Sequence, residues 1–380
     1  MHKQNTILWV IIFIALGRIA LALVIFSRWN KPLGPSLSLP ILTPSPTSIT
    51  SISSISTDSH NLAEVVSTSK PVITSTRAAE SERLSTPVPS PTATSRPLCN
   101  GPASMTILAI GSDQRGTGYM YGLADSIYIA HIDFTAPKIM VIDFPRDLWV
   151  EIPEIADHHG ITVGKINQAY LYGNPGMGYY DGPGEGPGLL ARTLDFNFGL
   201  RVDHYFAIDT QTFVRMINAV GGVDVKVESP IDLNFGMETP DPKLYLSVGT
   251  HHLDGNLAYE LATNRIPSTF QRMKYQRIIL NALREKLLSP DMLLKLPKLV
   301  AQFITSVQTD LSLNDINRII CIGQAVTKEN VRVDSFPQEM FTASGIYDPS
   351  RKVTTFIYEA DFDQIRAMVA DFMNGVWPFP

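Results

Sequence analysis

The sequence predicts a single α/β domain of mixed α+β character over residues 99–380, after a transmembrane helix and a disordered stalk. Three observations support this prediction. An apolar run lies near the N-terminus, a long Ser/Thr/Pro-rich tract follows it, and short β-rich and helical segments are interspersed over the remainder. That remainder is long enough to bury one substantial core.

The apolar run extends from Thr6 to Phe26, and its 21 residues suffice to cross a bilayer, which needs about 20. We therefore expect a transmembrane helix over residues 6–27, preceded by a short tip of residues 1–5. Positive charges lie on both sides of the run, so the charge pattern does not decide which way the helix is oriented.

Residues 28–98 are predicted to form a linker between this helix and the domain. Within residues 31–98, 36 of 68 residues are Ser, Thr or Pro and none is aromatic. Such a segment cannot bury enough apolar surface to offset the entropy lost on ordering. We interpret it as a flexible stalk, which is more useful outside a cell than inside.

Charge and cysteine content limit the possible partners and cross-links. The formal net charge of −5 disfavours a nucleic-acid-binding surface, so no nucleic-acid partner is expected. The two cysteines, Cys99 and Cys321, do not have the spacing of a metal site. They either form one disulfide that pins the start of the domain to its C-terminal part, or remain two thiols; composition does not separate these alternatives.

Three β-rich runs open the domain, at Met105–Ile110, Ser126–Ile132 and Lys138–Phe144. The second and third runs are joined by the short segment Asp133–Pro137, which predicts an antiparallel hairpin.

If these strands run up, down and up, the polar residues at their ends meet at one edge of one sheet. These residues are Asp113, Asp125, Arg146 and Asp147. Two carboxylates beside an arginine could hold a divalent cation and a phosphate together. The alternative is that polar residues simply occur at strand ends, and these three segments alone favour that interpretation.

We predict further elements downstream, as helices at Gly186–Phe196, Asp209–Val220, Leu257–Ala262, Ser268–Leu288, from Pro290 to about Val307, Asn314–Val326 and Ala360–Met373, with strands at Val223–Val227 and Val331–Ser335. On the longest helix, Arg272 and Gln276 share a face that becomes apolar further along. They would lie at the mouth of a site with an apolar wall, unless Arg272 is a solvated surface charge.

Several short motifs, taken in order, resemble the LytR-CpsA-Psr family. The motifs are Ile107–Asp113, Ala124–Ile127, Phe144–Asp147, Lys165–Tyr170, Val202–Tyr205, Gly221–Val225, Leu253–Gly255 and Phe270–Gln276. Each is weak alone. The Pro-Arg-Asp and Lys-Ile-Asn-x-Ala-Tyr motifs, in this order, make the resemblance specific over nearly all of residues 99–380.

The resemblance implies a central mixed sheet flanked by helices and a domain outside the cell membrane, with residues 1–5 cytoplasmic and a single membrane pass. Members of this family are phosphotransferases of cell-wall assembly. They move a glycopolymer from a polyprenyl-pyrophosphate carrier onto peptidoglycan, with the lipid tail in an apolar tunnel. The expected partners are therefore the lipid-linked polymer, the peptidoglycan acceptor and the membrane.

The resemblance also implies roles for individual residues. A Mg²⁺ cofactor is expected on Asp113 and Asp125. Pyrophosphate binding is expected of Arg146, Lys165, Arg272 and Gln276. A cation and fixed arginines would stabilise charge on the leaving phosphate, so Arg146 is also expected to be catalytic. Either Asp125 or Asp147 would orient or deprotonate the acceptor hydroxyl.

The chain departs from the family pattern at several expected charges. The departures are Leu123, Leu261, Thr263 and Tyr275, where the family usually has arginine, and Thr269, where it usually has aspartate. Arg265 is expected to substitute for one missing arginine. Two functions follow as hypotheses: an active transferase with altered substrate contacts, or a degenerate, non-catalytic protein that binds a polyprenyl phosphate or a wall polymer.

Overall fold

The computed structural model describes residues 29–37, 96–114, 122–348 and 351–378. The predicted tip, the transmembrane helix and most of the predicted linker lie outside these residues. Within the described ranges, no helix combines the length and the apolar character needed to cross a membrane. Residues 29–37 belong to the same compact unit as the domain.

Fourteen strands and ten α-helices build the described domain. The strands are β1 (Ser104–Ser112), β2 (Ala124–Asp133), β3 (Lys138–Phe144), β4 (Trp149–Glu151), β5 (Val163–Lys165), β6 (His204–Asp209), β7 (Val223–Val227), β8 (Ile231–Asp232), β9 (Tyr245–Leu246), β10 (Gly249–Leu253), β11 (Gln308–Thr309), β12 (Val331–Ser335), β13 (Phe341–Asp348) and β14 (Val353–Ala360). The helices are α1 (Ala156–His159), α2 (Ile166–Tyr172), α3 (Glu185–Phe198), α4 (Thr210–Ala219), α5 (Gly255–Thr263), α6 (Thr269–Leu287), α7 (Pro290–Leu293), α8 (Leu296–Phe303), α9 (Leu313–Ala325) and α10 (Phe362–Met373).

A six-stranded mixed sheet forms the centre, in the order β11-β6-β1-β2-β3-β12. β2 runs antiparallel to β1 and β3, which confirms the predicted hairpin and the up-down-up arrangement. β6 and β12 add in parallel to β1 and β3, and β11 closes one edge antiparallel to β6. We name the end of the sheet where β1 begins the base end and the end where β1 finishes the site end.

One face of the sheet carries the main hydrophobic core. Alternate residues of the central strands, such as Leu108, Ile129 and Ile142, are fully buried there. They pack with residues of α3 and α10, including Leu190 and Ile365. This continuous burial makes the sheet a rigid platform for the segments that follow its strands.

The opposite face is covered less completely. Towards the base end, Met105 and Ile107 pack against Ile322 of α9. In the middle of the same face, residues of the central strands are only half-buried, although a fully covered sheet would bury them. These half-buried residues are Ala109, Gly111, Ser126, Tyr128, Ala130 and Val141. Helix α6 runs along this side of the sheet. The half-buried residues therefore form a partly covered strip of the sheet face beside α6.

Residues 29–37 differ from the linker predicted over residues 28–98, because the structure packs them onto the domain. Leu33 donates its backbone N–H to the Leu311 carbonyl at 3.3 Å. The Leu37 side chain is 1% exposed and belongs to the main core. The signal missed was the apolar Leu37 within a Pro/Ser-rich stretch.

The two cysteines form a disulfide, which decides between the alternatives left by composition. Cys99 lies in a short 3-10 helix and Cys321 lies in α9, 222 residues later. The predicted helix from Pro290 to about Val307 is wrong in its continuity, since α7 and α8 are separate. Pro297 lies in the first turn of α8, where its missing N–H costs no hydrogen bond, so a new helix begins there.

Candidate active site

The site residues lie where strands finish at the site end of the sheet. Asp113 directly follows β1, Asp125 lies at the start of β2, and Arg146 follows β3. Ser112 pairs with Ala124 in the β1–β2 ladder, so the two aspartates lie at neighbouring positions of one sheet edge. This is the arrangement that the strand order predicted.

Two arginines from different parts of the chain form ion pairs with Asp125. Its Oδ1 lies 2.5 Å from a terminal nitrogen of Arg146, and its Oδ2 lies 3.4 Å from one of Arg272 on α6. The Arg272 side chain is only 3% exposed, so the interpretation of Arg272 as a solvated surface charge is wrong. Helix α6 therefore places Arg272, which lies in its first turn, at the edge of the sheet.

Arg272 is held at an electrostatic cost. Burial, together with the nearby Arg146 charge, lowers the pKa of Arg272 to about 10, although Asp125 and Asp147 act in the opposite direction. Its Nε has no hydrogen-bond partner among the residues that the structure describes. A buried, unpaired guanidinium N–H beside a second arginine favours an anion in the space between them.

Asp147 is buried among three donors. Lys165 Nζ lies 2.9 Å from Oδ1, while the Thr269 hydroxyl, at 2.9 Å, and Arg146 Nε, at 3.4 Å, approach Oδ2. Burial alone would raise the pKa of Asp147, but the Arg146 charge and the Lys165 hydrogen bond outweigh it and hold the pKa below its ordinary value. Asp147 is therefore a fixed anion that orients the two cations.

Local backbone pairing places these groups. Asn167 N donates to the Arg146 carbonyl at 3.4 Å, and Tyr358 N of β14 donates to the Asp147 carbonyl at 2.9 Å. Lys165 faces Trp149 in the small β4–β5 ladder, which brings its side chain back beside the end of β3. The Pro-Arg-Asp and Lys-Ile-Asn-x-Ala-Tyr motifs therefore adjoin in space.

The two carboxylates expected to bind Mg²⁺, Asp113 and Asp125, lie at neighbouring positions of the sheet edge. Leu123 N donates to Asp113 Oδ1 at 2.7 Å, which fixes the Asp113 side chain at the strand end. Mg²⁺ commonly uses one or two carboxylates and completes its shell with water and substrate phosphate oxygens. Among the residues described, no group of three or more acidic, His or Cys side chains could hold a metal ion by itself.

The two remaining predicted residues lie near this cluster. Gln276, one turn after Arg272, donates to the Ala262 carbonyl at 3.1 Å and accepts from the Tyr128 hydroxyl at 3.5 Å. Arg265 is exposed, and its charge contributes to lowering the pKa of Arg272, so it lies on the side of the site. The structure thus brings all eight predicted residues towards one edge of the sheet.

The departures from the family pattern that follow Leu123 in the chain have three different outcomes. Leu261 and Tyr275 are buried in the apolar cluster between α5, α6 and β7, so they contribute packing and no charge. Thr263 is exposed, and its hydroxyl donates to the Tyr259 carbonyl of its own helix. Thr269 instead contributes a hydrogen bond to Asp147, a contact that the sequence did not predict because it requires α6 to approach the end of β3.

Comparison with known proteins adds an independent line of evidence. The sequence profile of the LytR_cpsA_psr family matches residues 66–365. The regulatory protein MsrR of Staphylococcus aureus is 28% identical over 220 residues, 56% of this chain and 59% of MsrR. TagV of Bacillus subtilis, a polyisoprenyl-teichoic acid–peptidoglycan teichoic acid transferase, is 27% identical over 217 residues, 55% of this chain and 50% of TagV. The match to these two relatives thus spans little more than half of their length.

Solved structures have the same fold. The crystal structure of B. subtilis TagV gives a TM-score of 0.54 at 24% identity, covering 71% of this chain and 97% of TagV. That of B. subtilis TagT gives 0.52 at 19% identity, covering 72% and 91%. TagT has also been solved bound to LIIa-WTA.

The family profile extends over most of the chain, and the motifs that carried the resemblance lie together at the site end of the sheet. The chain therefore belongs to the LytR-CpsA-Psr family.

Proposed function

We propose that this chain is a membrane-anchored transferase that moves a glycopolymer from a polyprenyl-pyrophosphate carrier onto peptidoglycan, outside the cell membrane. The single observation that carries the proposal is the convergence of Arg146 and Arg272 on Asp125, with an unpaired buried N–H on Arg272. The family and the name of the relative TagV support the substrate class. Residues 6–27 would form the anchor.

In this proposal the arginines bind the pyrophosphate. Asp125 and Asp147 raise the pKa of Arg146 despite the opposing effect of burial, so Arg146 stays charged at any pH the domain survives. Its guanidinium and that of Arg272 would donate to phosphate oxygens and lower the repulsion that an incoming hydroxyl meets. Lys165 would act indirectly. Its ion pair with Asp147 holds that carboxylate beside Arg146 and so keeps Arg146 in place.

Asp113 and Asp125 would hold a magnesium ion, which when bound supplies positive charge beside the phosphate oxygens. Asp125, whose side chain is 23% exposed, is the more accessible carboxylate for an acceptor hydroxyl, whereas Asp147 is 5% exposed and fully engaged. We therefore assign the orienting contact with the hydroxyl to Asp125 and a positioning role to Asp147.

The bond changes are those of a phosphoryl transfer. The acceptor hydroxyl oxygen attacks the phosphorus that carries the glycopolymer, and the bond from that phosphorus to the bridging oxygen breaks. Polyprenyl phosphate leaves, and the hydroxyl proton passes by way of Asp125 to solvent. The carrier's apolar chain would lie on the half-buried strip beside α6, formed by residues such as Ala109, Ala130 and Val141.

A transfer assay tests the proposal. The full chain would be incubated, with Mg²⁺ or with EDTA, with a synthetic polyprenyl-pyrophosphate saccharide and a peptidoglycan-like acceptor. Mg²⁺-dependent transfer that is lost in Asp113→Ala is expected. The matched control is Asp224→Ala, which removes an aspartate with a 60% exposed side chain on β7 and should leave transfer unchanged. Equal activity in Asp113→Ala and the wild type would refute the proposal.

The second candidate is a non-catalytic protein that binds a polyprenyl phosphate or a wall polymer. The observation that favours it is the burial of Leu261 and Tyr275 in an apolar cluster, where the family usually supplies arginines. The same assay separates the two candidates. Lipid binding by a folded chain, with neither transfer nor phosphate release, would support the binding protein, and any Mg²⁺-dependent turnover would eliminate it.

A further inference from the structure

The segment 29–37 attaches at the base end of the sheet. Trp29 Nε1 donates to the Asn314 side chain at 3.2 Å, and Pro32 forms a bridge with Ser312. Residues 311–314 follow β11, which runs antiparallel to β6 and hence finishes where β1 begins. The docked segment and the candidate active site therefore lie at opposite ends of the sheet.

This position constrains how the domain stands on a membrane. Only Ser27 and Arg28 separate Phe26, the last residue of the apolar run, from Trp29. The three residue-to-residue steps from Phe26 to Trp29 span at most about 10 Å. If residues 6–27 cross the bilayer, as the proposed function requires, the base end must face it closely. The nine residues of β1 then place the site roughly 30 Å further out, at about 3.3 Å per residue.

Helix α6 leads from the site to the same base end. It begins beside Asp125 through Arg272, and near its C-terminus Arg284 donates to the Val331 carbonyl at 2.9 Å. Val331 opens β12, which is parallel to β3 and begins at the base end. Leu288, directly after α6, packs against the apolar cluster of Met105 and Val331 at the base end, so the chain enters α7 and the α7–α8 turn from this end.

That turn has the composition of a membrane-surface segment. Leu294 is 84% exposed, an unusual position for a leucine. It is followed by Lys295 and Lys298, both exposed, and flanked by the half-buried Leu293 and Leu296. Exposed leucines insert into the headgroup region of a bilayer, and adjacent lysines are attracted to anionic headgroups.

We propose that the α7–α8 turn, through Leu294, Lys295 and Lys298, contacts the anionic lipid surface of the membrane that anchors the chain, and that with segment 29–37 it holds the active site facing away from the bilayer. This inference rests on the proposed anchor. An anionic lipid surface would cover the exposed Leu294 side chain and would supply negative charges opposite the two lysines.

The test places a fluorescent label at Leu294 in the full-length chain, reconstituted in nanodiscs that contain phosphatidylglycerol. The disulfide occupies both native cysteines, so a label reacts only with the thiol of Leu294→Cys. Lipids that carry a quencher near the headgroup should remove most of its fluorescence. A label at Ile266→Cys, next to Arg265 on the site side, should keep its intensity. Ile266 is 39% exposed.

A second set of variants tests the charges. Lys295→Glu combined with Lys298→Glu should restore most of the fluorescence of the Leu294 label, and nanodiscs of phosphatidylcholine alone should do the same. A chain that enters nanodiscs with an unquenched Leu294 label overturns the inference and leaves the anchor intact. A chain that does not enter nanodiscs overturns both the anchor and the inference. Equal quenching at positions 294 and 266 overturns the proposed orientation.

Discussion

Replacing Asp143 by asparagine is expected to stabilise the domain at neutral pH and to flatten its pH dependence. Asp143 lies on β3, opposite Tyr128 and beside Ser335, and it is 3% exposed. Neither carboxylate oxygen has a hydrogen-bond partner of good geometry among the described residues. Burial raises the pKa of Asp143 to about 7, against the opposing effects of the Ser335 hydroxyl and the Arg277 charge.

Proton linkage gives the direction in which the free energy of unfolding changes with pH. The ordinary pKa is 3.8, so between pH 3.8 and about 7 the folded state holds a proton that the unfolded state has released. The stability associated with protonated Asp143 is therefore complete below pH 3.8 and is lost as the pH rises to about 7. A difference of about three pKa units, at 1.36 kcal/mol each, amounts to about 4 kcal/mol. Asparagine does not ionise and avoids this loss.

The assay is urea unfolding of a chain that begins at residue 29, followed by circular dichroism from pH 4 to pH 8. The difference between the wild type and Asp143→Asn isolates this one group, because the other titrating groups are common to both. The variant should become the more stable protein as the pH rises. Asp181→Asn, at an exposed position, should follow the wild type. A wild type and Asp143→Asn that lose equal stability across this range would refute the reasoning.

Three further predictions concern other contacts. Lys165→Met leaves Asp147 without one partner and should destabilise the domain by about 3–5 kcal/mol, with part recovered by adding Asp147→Asn, as measured in a double-mutant cycle of urea unfolding. Removing the disulfide by Cys99→Ser and Cys321→Ser opens a loop of 222 residues and should cost about 3–5 kcal/mol, seen as a lower Tm that no longer responds to reductant. Burial lowers the pKa of His204, but Asp310, Asp315 and Asp203 together outweigh it and raise that pKa, so Asp310→Asn should lower the pKa in an NMR titration. An unchanged His204 titration would exclude the ion pair as the cause.

Elements with a local signal were predicted well from the sequence. Lys138–Phe144, Val223–Val227 and Val331–Ser335 match the observed strands residue for residue, because alternation and turn residues mark their limits. β6 was not predicted, although it is a central strand, because its pairing with β1 joins residues that are far apart in the sequence. The β13–β14 hairpin was also missed, although its strands are consecutive in the chain and the second is rich in β-branched and aromatic residues.

The contacts of the candidate site also divide into those that the sequence suggested and those that it did not. Strand ends showed that Asp125 and Arg146 could meet at one edge, although these segments alone favoured ordinary polar strand ends. Only the family resemblance implied that Arg272 joins them, as the structure shows. The mutual contact of Lys165 and Asp147 was not predicted, because it depends on the β4–β5 ladder. Asp143 was overlooked, although an aspartate in an otherwise apolar strand is itself a signal of an unusual environment.

The attachment of segment 29–37 changes what a protease could achieve. The backbone leaves the domain at Leu37 and returns at the 3-10 helix that holds Cys99, so residues 38–95 begin and finish on the same folded body. Cleavage within them would sever the chain but leave a two-fragment complex, joined by buried Leu37 and by the hydrogen bonds of Trp29 and Leu33. If residues 6–27 anchor the chain, as proposed, release of the domain would then require that complex to dissociate as a second, reversible step.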